Sequence, residues 1–259
     1  MCQSINRKNG CNMHCGEKVT ISIIMATYNG EKYIKEQLDS ILPYLIEGDE
    51  LIVSDDGSSD STLNIAREYQ KTYQMIRVTE GEHTGSSTNF ASAIPKCKGE
   101  IVLFCDQDDW WMPEKLETIR KIFKENPKVE LLMHNAGYCD ASGYALEGDI
   151  FSRRHPKHGF CHNLIHSTYY GCCMAARNSF LSAYVPLPNN NVPYDQCFGL
   201  IAEKKKTAMF FDKKLILHRY HGENQSKKMT NIGRLKFRIK LWKNVCCLLK
   251  NKKERKKLS

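Results

Sequence analysis

The sequence predicts an α/β fold built on a doubly wound, mostly parallel β-sheet with flanking helices. Short apolar runs rich in β-branched residues alternate with segments whose apolar residues recur at helical spacing. Polar turn residues follow the apolar runs, and the length of 259 residues suits one such domain with an appendage. Open α/β sheets bind ligands at the carboxyl edge of their strands, so we expect the function to lie in those polar loops.

The first hundred residues carry the clearest alternation. The pattern predicts strands over 19–26, 50–54, 75–79 and 100–105, with helices over 31–42, from 61 to about 69, and 86–97. Pro43 closes the first of these helices, and Asp60 or Ser61 can cap the second.

The rest of the chain continues the pattern less regularly. It predicts a helix over 113–125, strands over 129–135 and 169–176, helices over 178–184 and 194–205, and strands over 208–211 and 215–218. Residues 136–165 are rich in turn formers and give only a weak prediction.

The positive charge is confined to the C-terminal end. Of 38 Lys and Arg residues, thirteen lie in 227–259 beside a single acid, Glu254. Residues 1–226 therefore hold 25 basic against 28 acidic groups, and a body of this charge argues against nucleic acid as a partner. We divide the chain into a flexible N-terminal tail (1–18), a domain (19–226) and a basic tail (227–259).

We expect a cytoplasmic protein. The longest apolar stretches are about six residues, too short to span a bilayer, and no signal peptide precedes the first strand. The twelve cysteines are scattered without paired CxxC motifs, which favours reduced thiols. Cys11, His14 and Cys15 form a metal-like cluster, but chance thiols in a tail are the better explanation.

Three carboxylates gather after the fourth predicted strand. Asp106, Asp108 and Asp109 flank Gln107 directly after the apolar run 101–105. Their mutual repulsion is costly unless a cation neutralises it, and carboxylate oxygens suit Mn²⁺ or Mg²⁺. On the motif alone, acids that cap the helix near Pro113 are an equally good explanation.

A second acidic loop follows the second predicted strand. Asp60 can cap the next helix, whereas Asp55 and Asp56 precede the turn. At the carboxyl edge of a parallel sheet, an aspartate can accept a hydrogen bond from a uracil imide or a ribose hydroxyl. The sequence contains neither GxGxxG nor GxxxxGK[ST], which argues against a dinucleotide-binding fingerprint and a P-loop.

Three segments together resemble glycosyltransferase family 2. They are SIIMATYNG (22–30), IVSDDGSSDST (52–62) and FCDQDDW (104–110), in the family's order and spacing. GCCMA (171–175), YDQ (194–196) and HRYHGENQS (218–226) are similar to the family's bacterial rhamnosyltransferase-like branch. The resemblance implies a GT-A fold with a nucleotide-binding half (19–110) and an acceptor-binding half (111–226).

The resemblance also implies ligands and the residues that bind them. The implied donor is a UDP-, dTDP- or GDP-linked sugar, and the implied cofactor is Mn²⁺ or Mg²⁺. The donor would contact Thr27, Tyr28, Asn29, Asp55, Asp56, Asn89, Asp106 and Gln107.

The implied catalytic groups are fewer. Asp106 and Asp108 would bind the metal with the late histidine, His221, and Asp195 would be the general base. His218 stands where the family often has Tyr, which leaves two candidate histidines. For Asp195 a helix N-cap after Pro193 is the alternative, and for His221 a loop histidine bonded to backbone.

The basic tail has a helical pattern of its own. Its apolar residues recur at four, three, four and three on one face, surrounded by Lys and Arg: Leu235, Ile239, Trp242, Cys246 and Leu249. A basic amphipathic helix with Trp is typical of binding to an anionic membrane surface, so we expect the protein at the inner face of the cell membrane. The alternative is a helix that packs on the body.

These patterns predict a metal-dependent inverting glycosyltransferase. The acceptor would be a hydroxyl of a glycan or lipid-linked saccharide, in cell-surface polysaccharide biosynthesis. A sugar-1-phosphate nucleotidyltransferase would need a Gly-rich basic loop after the first strand, which residues 27–30 do not supply. A non-catalytic, membrane-associated protein of the same fold is a second alternative, against which Asp106, Asp108 and Asp195 argue.

Overall fold

A computed structural model describes residues 18–81, 83, 85–187, 192–220 and 230–258. The predicted N-terminal tail up to residue 17, with its Cys11–Cys15 cluster, lies outside the described residues, and so does His221.

The described residues contain a nine-stranded sheet, which confirms the predicted α/β class. Its strand order is β3-β2-β1-β4-β8-β6-β9-β5, with β7 paired to β6. The strands are β1 (Ile21–Thr27), β2 (Glu50–Asp55), β3 (Ile76–Glu80), β4 (Ile101–Asp106), β5 (Trp110–Trp111), β6 (Leu131–Cys139), β7 (Ala145–Asp149), β8 (Met174–Arg177) and β9 (Ala208–Arg219).

The first four strands are parallel, and their register aligns their carboxyl ends at one edge of the sheet. Thr27 lies opposite Asp55, and Ala26 lies opposite Asp106. Because β1 and β4 are buried along most of their length, their apolar side chains anchor this edge from both faces. The polar loops after β1, β2 and β4 therefore meet at one place, as the sequence predicts.

Helices cover the sheet and close the core. They are α1 (Ile34–Ile41), α2 (Thr62–Thr72), α3 (Ser86–Ala93), α4 (Lys115–Glu125), α5 (Ile150–Arg154), α6 (Phe160–Ile165), α7 (Asn178–Ser182), α8 (Tyr194–Lys205) and α9 (Asn231–Leu258). The amphipathic helices α1 and α4 bury their apolar stripes, for example Ile34, Leu38, Ile119 and Phe123.

The predicted bounds of three strands were wrong, among them the strand over 129–135, which the structure places at Leu131–Cys139 as β6. Residues 169–176 form a 3₁₀ turn at Gly171–Cys173 before the short antiparallel strand β8, and β9 is continuous where two strands were predicted. The polar centre of β9, Asp212–Lys214, stays exposed while its pairing with β6 shifts register at His134 and Asn135. The irregular pairing lets β9 continue through three polar residues that are unfavourable in a strand. The weakly predicted segment 136–165 contains the β7 hairpin, α5 and α6.

Helix α9 is packed on the body along one face. Leu241, Val245 and Leu248 are buried, and Arg238 donates a hydrogen bond to Gln196 of α8 at 3.1 Å. Another face of α9 leaves four large apolar side chains exposed by 46–71%: Ile232, Leu235, Ile239 and Trp242. The packing expected as an alternative is therefore present, together with an uncovered apolar stripe. Among the described residues, no helix is long and apolar enough to cross a membrane.

Candidate active site

Asp55 organises the loop after β2. Its buried carboxylate accepts hydrogen bonds from Thr27 Oγ1 (2.9 Å), Ser58 Oγ (2.6 Å) and the amides of Ser58 (2.8 Å) and Gly57 (3.2 Å). With four donors already on its two oxygens, Asp55 shapes the pocket and has little capacity left for a ligand. Asp56, which accepts from the amide of Gly85 at 2.8 Å, is less buried and lies further along the loop.

The loop after β1 is tied to the loop after β4. Gln107 Nε2 donates to the carbonyl of Tyr28 at 3.0 Å, and the amide of Tyr28 donates back to Gln107 Oε1 at 2.9 Å. The side chain of Tyr28 is 54% exposed, so its ring is available at the rim. A Cβ at Gly30 would lie 2.2 Å from Gln107 Oε1, which explains a glycine there. Gln107 thus holds two candidate ligand-binding loops together.

Asn89, which the resemblance places in the donor site, is hydrogen-bonded to β2 in the structure. It is 1% exposed, and its amide donates to the carbonyl of Ser54 at 2.6 Å while its oxygen accepts from the hydroxyl of Ser54. Because both ends of the amide are used by β2, Asn89 fastens α3 to the sheet. By contrast Asn29, with a left-handed φ of 48°, lies in the exposed loop and accepts from the amide of Ser59 at 2.8 Å.

The acidic loop after β4 concentrates negative charge at the sheet edge. Burial, followed by the charges of Asp109 and Asp108, raises the pKa of Asp106 to about 8. The charge of Asp195 raises it further, whereas His218 opposes the shift. These carboxylates are therefore within electrostatic reach of each other, and the site favours a cation.

Asp109 is the buried member of the loop and pairs with His218. Its Oδ1 lies 2.7 Å from His218 Nδ1, and its Oδ2 has no hydrogen-bond partner within the described residues. Burial alone would lower the pKa of His218, but the carboxylate of Asp109 raises it to about 12. Among the described residues, the side chains of Asp109, His218 and Cys172 form a group that could hold a metal ion, with ligand atoms within 4.8 Å of one another. This group differs from the predicted set of Asp106, Asp108 and His221.

Arg219 holds the acidic loop after β4 in place through hydrogen bonds. It is 1% exposed, and its guanidinium donates to the carbonyls of Asp108 (2.9 Å) and Ala141 (2.7 Å) and to Glu36 Oε2 (2.6 Å). The ring of Tyr33 lies 4.9 Å from its guanidinium carbon. The sequence analysis did not assign Arg219 a role, although the HRYHGENQS segment contains it.

Asp195 lies in the first turn of α8, near enough to Asp106 for the two charges to interact. Burial raises its pKa to about 6, against the lowering effect of hydrogen bonds from the amides of Gln196 and Gly171. The amide of Gln196 lies 2.7 Å from Asp195 Oδ1. A carboxylate that is partly desolvated yet ionised at neutral pH has the properties of a general base.

An aromatic cluster fixes the start of α8. The ring of Tyr194 lies 4.6 Å from that of Phe90 and 4.7 Å from that of Phe104. Its hydroxyl packs so closely on Gly171 that a Cβ there would lie 1.9 Å away. Gly171 thus lets α8 approach the turn before β8, which brings Asp195 to the carboxyl edge of β4.

Comparison with protein families shows to which family this chain is related. Residues 22–185 match the family described as glycosyl transferase family 2. The chain belongs to this family. The match includes both donor-side loops and the acidic loop, and it ends before Asp195.

Relatives of this glycosyltransferase family 2 chain carry glycosyltransferase names. It is 26% identical over 197 residues to the putative teichuronic acid biosynthesis glycosyltransferase TuaG of Bacillus subtilis, covering 73% of each chain. It is 29% identical over 134 residues to the putative glycosyltransferase EpsH of the same organism, covering 52% of this chain and 39% of EpsH. The chain therefore spans well under half of EpsH.

Solved structures support the GT-A fold. S. aureus TarS 1–349 in complex with UDP-GlcNAc matches with a TM-score of 0.62 and 24% identity, over 82% of this chain and 62% of that chain. Glucosyl-3-phosphoglycerate synthase from Mycobacterium tuberculosis, in complex with Mn²⁺, UDP-glucose and phosphoglyceric acid, matches with a TM-score of 0.57 and 19% identity, over 78% and 72%.

Proposed function

We propose that this chain transfers a sugar from a nucleotide-diphospho-sugar to an acceptor hydroxyl with inversion at the anomeric carbon. The observation that carries the proposal is the convergence of three carboxyl groups, Asp106, Asp108 and Asp195, at one sheet edge, where their charges interact. A single displacement needs a base for the acceptor and charge neutralisation for the departing diphosphate. Asp195 would supply the base, and a cation held by Asp106 and Asp108 would neutralise the charge.

Asp106 and Asp108 would hold a divalent cation together with His221, because His218 is protonated in its pair with Asp109. The chemistry of the site fits, because burial and neighbouring carboxylates raise the pKa of Asp106, and a cation would relieve that repulsion. Carboxylate ligands favour Mn²⁺ or Mg²⁺. When bound, the cation would neutralise charge on the diphosphate.

Asp195 would take the proton of the acceptor hydroxyl. The amide of Gln196 and the tight contact of Tyr194 with Gly171 hold the carboxylate in place before substrate arrives. Its pKa of about 6 leaves it ionised and basic near neutral pH.

The donor would lie over the ends of β1 and β2. Thr27, Tyr28, Asn29 and Asp56 would form its nucleotide pocket, with Asp55 and Gln107 fixing the loop conformations. The nucleotide-binding half would be residues 19–110 and the acceptor-binding half 111–226. The UDP-sugar complexes of TarS and the glucosyl-3-phosphoglycerate synthase support a UDP-linked donor, and the name of TuaG supports a role in cell-surface polysaccharide synthesis.

The stripe Ile232, Leu235, Ile239 and Trp242 would hold the protein on the inner face of the cell membrane. Spaced three, four and three on α9, these side chains are exposed on one face, with Arg234, Lys236, Lys240 and Lys243 around them. An apolar stripe that enters the headgroup boundary and a cationic surround both favour anionic lipid.

Calorimetric titration with UDP and Mn²⁺, followed by a donor-hydrolysis assay, tests the proposed reaction. The full-length protein should bind UDP, Asp56→Ala should weaken that binding, and the donor should release UDP. Formation of UTP and the sugar 1-phosphate from the donor and added pyrophosphate would instead indicate a nucleotidyltransferase. A protein that binds UDP but neither hydrolyses the donor nor transfers the sugar would indicate a non-catalytic relative.

A further inference from the structure

Two neighbouring arginines lie in the proposed acceptor-binding half and form no ion pair with a described acidic side chain. Arg153 and Arg154 occupy the last turn of α5, and both are exposed. Within the described part of the chain, no carboxylate forms an ion pair with either guanidinium. Two uncompensated positive charges stand next to each other on a body that is slightly acidic overall.

Both guanidinium groups are held by tyrosine hydroxyls. Arg153 Nη1 donates to the hydroxyl of Tyr220 at 2.6 Å, and Arg154 Nε donates to that of Tyr170 at 2.9 Å. The ring of Tyr220 lies 5.1 Å from that of Tyr138, which fixes its orientation. A neutral hydroxyl orients an arginine and leaves its charge and most of its five N–H donors for a ligand.

The two tyrosines connect these arginines to the candidate catalytic groups. Tyr170 directly precedes Gly171, whose amide hydrogen-bonds the carboxylate of Asp195. Tyr220 directly follows Arg219, the residue that holds the acidic loop, and its ring lies 5.9 Å from that of His218. The pair therefore borders the base on one side and the acidic loop on the other.

The position of the two arginines in the fold favours contact with the acceptor rather than with the donor. The donor loops follow β1 and β2, whereas Tyr220 follows β9 and α5 packs under β6, on the far side of β4 and β8 in the sheet order. The ring of Tyr220, which is 40% exposed, is also suited to the face of a sugar ring.

We propose that Arg153 and Arg154, oriented by Tyr220 and Tyr170, bind an anionic group of the acceptor saccharide, either a phosphate or a uronic acid carboxylate. The inference rests on the proposed function and names the acceptor class for that site. Arginine binds both anions in a bidentate manner, so the chemistry is shared and only the shape of the anion differs.

Calorimetry with three soluble probes tests the subsite: glucose 6-phosphate, glucuronate and glucose, each added to the full-length protein. We expect at least one anionic probe to bind at least tenfold more tightly than glucose, a difference of about 1.4 kcal/mol. The tighter of the two anions tells phosphate from carboxylate. Equal affinity for all three sugars would overturn the proposal.

Variants separate this subsite from a general charge effect. Arg153→Ala with Arg154→Ala should abolish the anion preference, Lys at both positions should restore part of it, and Tyr170→Phe with Tyr220→Phe should keep most of it. Lys121→Ala with Lys124→Ala removes the same charge from exposed positions of α4 and should change nothing. An equal loss in the α4 variant would refute the assignment to the arginines.

The same variants distinguish the acceptor from the donor. Affinity for UDP should stay within twofold in the arginine double variant, and a parallel loss of UDP affinity would place the arginines on the donor and overturn the proposal. If the wild-type protein fails to bind UDP but keeps the arginine-dependent anion preference, the proposed transfer reaction fails while the anion subsite stands.

Discussion

Replacing Asp195 with Asn should abolish transfer and, at the same time, make the protein more stable at pH 8. The carboxyl group has a pKa of about 6 in the folded chain because burial disfavours its charge, against an ordinary value of 3.8. This difference of roughly two pH units corresponds to at most about 3 kcal/mol of unfolding free energy, at 1.36 kcal/mol per unit. Asn keeps the shape and an acceptor oxygen but carries no charge.

The sign follows from proton binding. Between pH 3.8 and about 6 the folded chain binds the Asp195 proton and the unfolded chain does not, so wild-type stability falls as pH rises through this window. Above pH 6 the cost is complete and constant. The stability gain of Asp195→Asn should therefore be near zero at pH 4, grow up to pH 6 and stay level to pH 8.

Thermal melts and urea unfolding at pH 4, 6 and 8 measure this gain, with Glu147→Gln as a control at an exposed position of β7. UDP titration should show nearly unchanged affinity in Asp195→Asn, while wild-type transfer should rise with pH through about 6 as the base ionises. A variant that is no more stable than wild type at pH 8, or a gain that does not shrink toward pH 4, would refute the burial argument. Normal turnover by Asp195→Asn would place the base elsewhere and leave Asp195 as a helix cap.

Three further outcomes are expected. Excess EDTA should abolish transfer and Mn²⁺ or Mg²⁺ should restore it, with Asp108→Asn losing more activity than Asp106→Asn; full activity in chelator would exclude the metal site. Asp109→Asn should lower stability in urea at pH 6 by about 1–3 kcal/mol, because it removes a charged hydrogen bond and the charge that keeps His218 protonated; an unchanged midpoint would show that the pair contributes nothing. Ile239→Glu with Trp242→Glu should release the protein from phosphatidylglycerol vesicles at unchanged melting temperature, whereas Val245→Asp, at a buried position of the same helix, should unfold it; retained sedimentation of the first variant would show that the apolar stripe does not hold the protein on the vesicle.

The parallel half of the sheet was predictable because its signals are local. Apolar runs such as 101–105 end in polar turns, and parallel pairing then places Asp106 and Asp55 at the same edge without further information. The 3₁₀ turn at Gly171 was not predictable, since it depends on the hydroxyl of Tyr194 from a distant helix. The partner of Asn89 was not predictable for a related reason, since its amide is satisfied by Ser54, 35 residues away in the chain.

Long-range partners also explain the site residues that the sequence analysis missed. Arg219 lies far from the acidic loop in sequence, and only the pairing of β9 with β5 and β6 brings it to the carbonyl of Asp108. Arg153 and Arg154 lie in the segment where turn formers obscured any periodicity. Helix α9 illustrates a different limit, because its apolar residues form two faces. The spacing identified Leu235, Ile239 and Trp242 but could not show that Leu241 and Val245 are the ones that pack.

The contact between Gly30 and Gln107 couples two positions that lie far apart in the sequence. Any side chain at position 30 would enter the space of the Gln107 amide, 2.2 Å from its Oε1, and would break the two hydrogen bonds that join it to Tyr28. Shortening residue 107 first would remove the clash but also the link between the loops. We therefore expect the cost of a substitution at position 30 to depend on residue 107, which lies 77 positions away in a different loop.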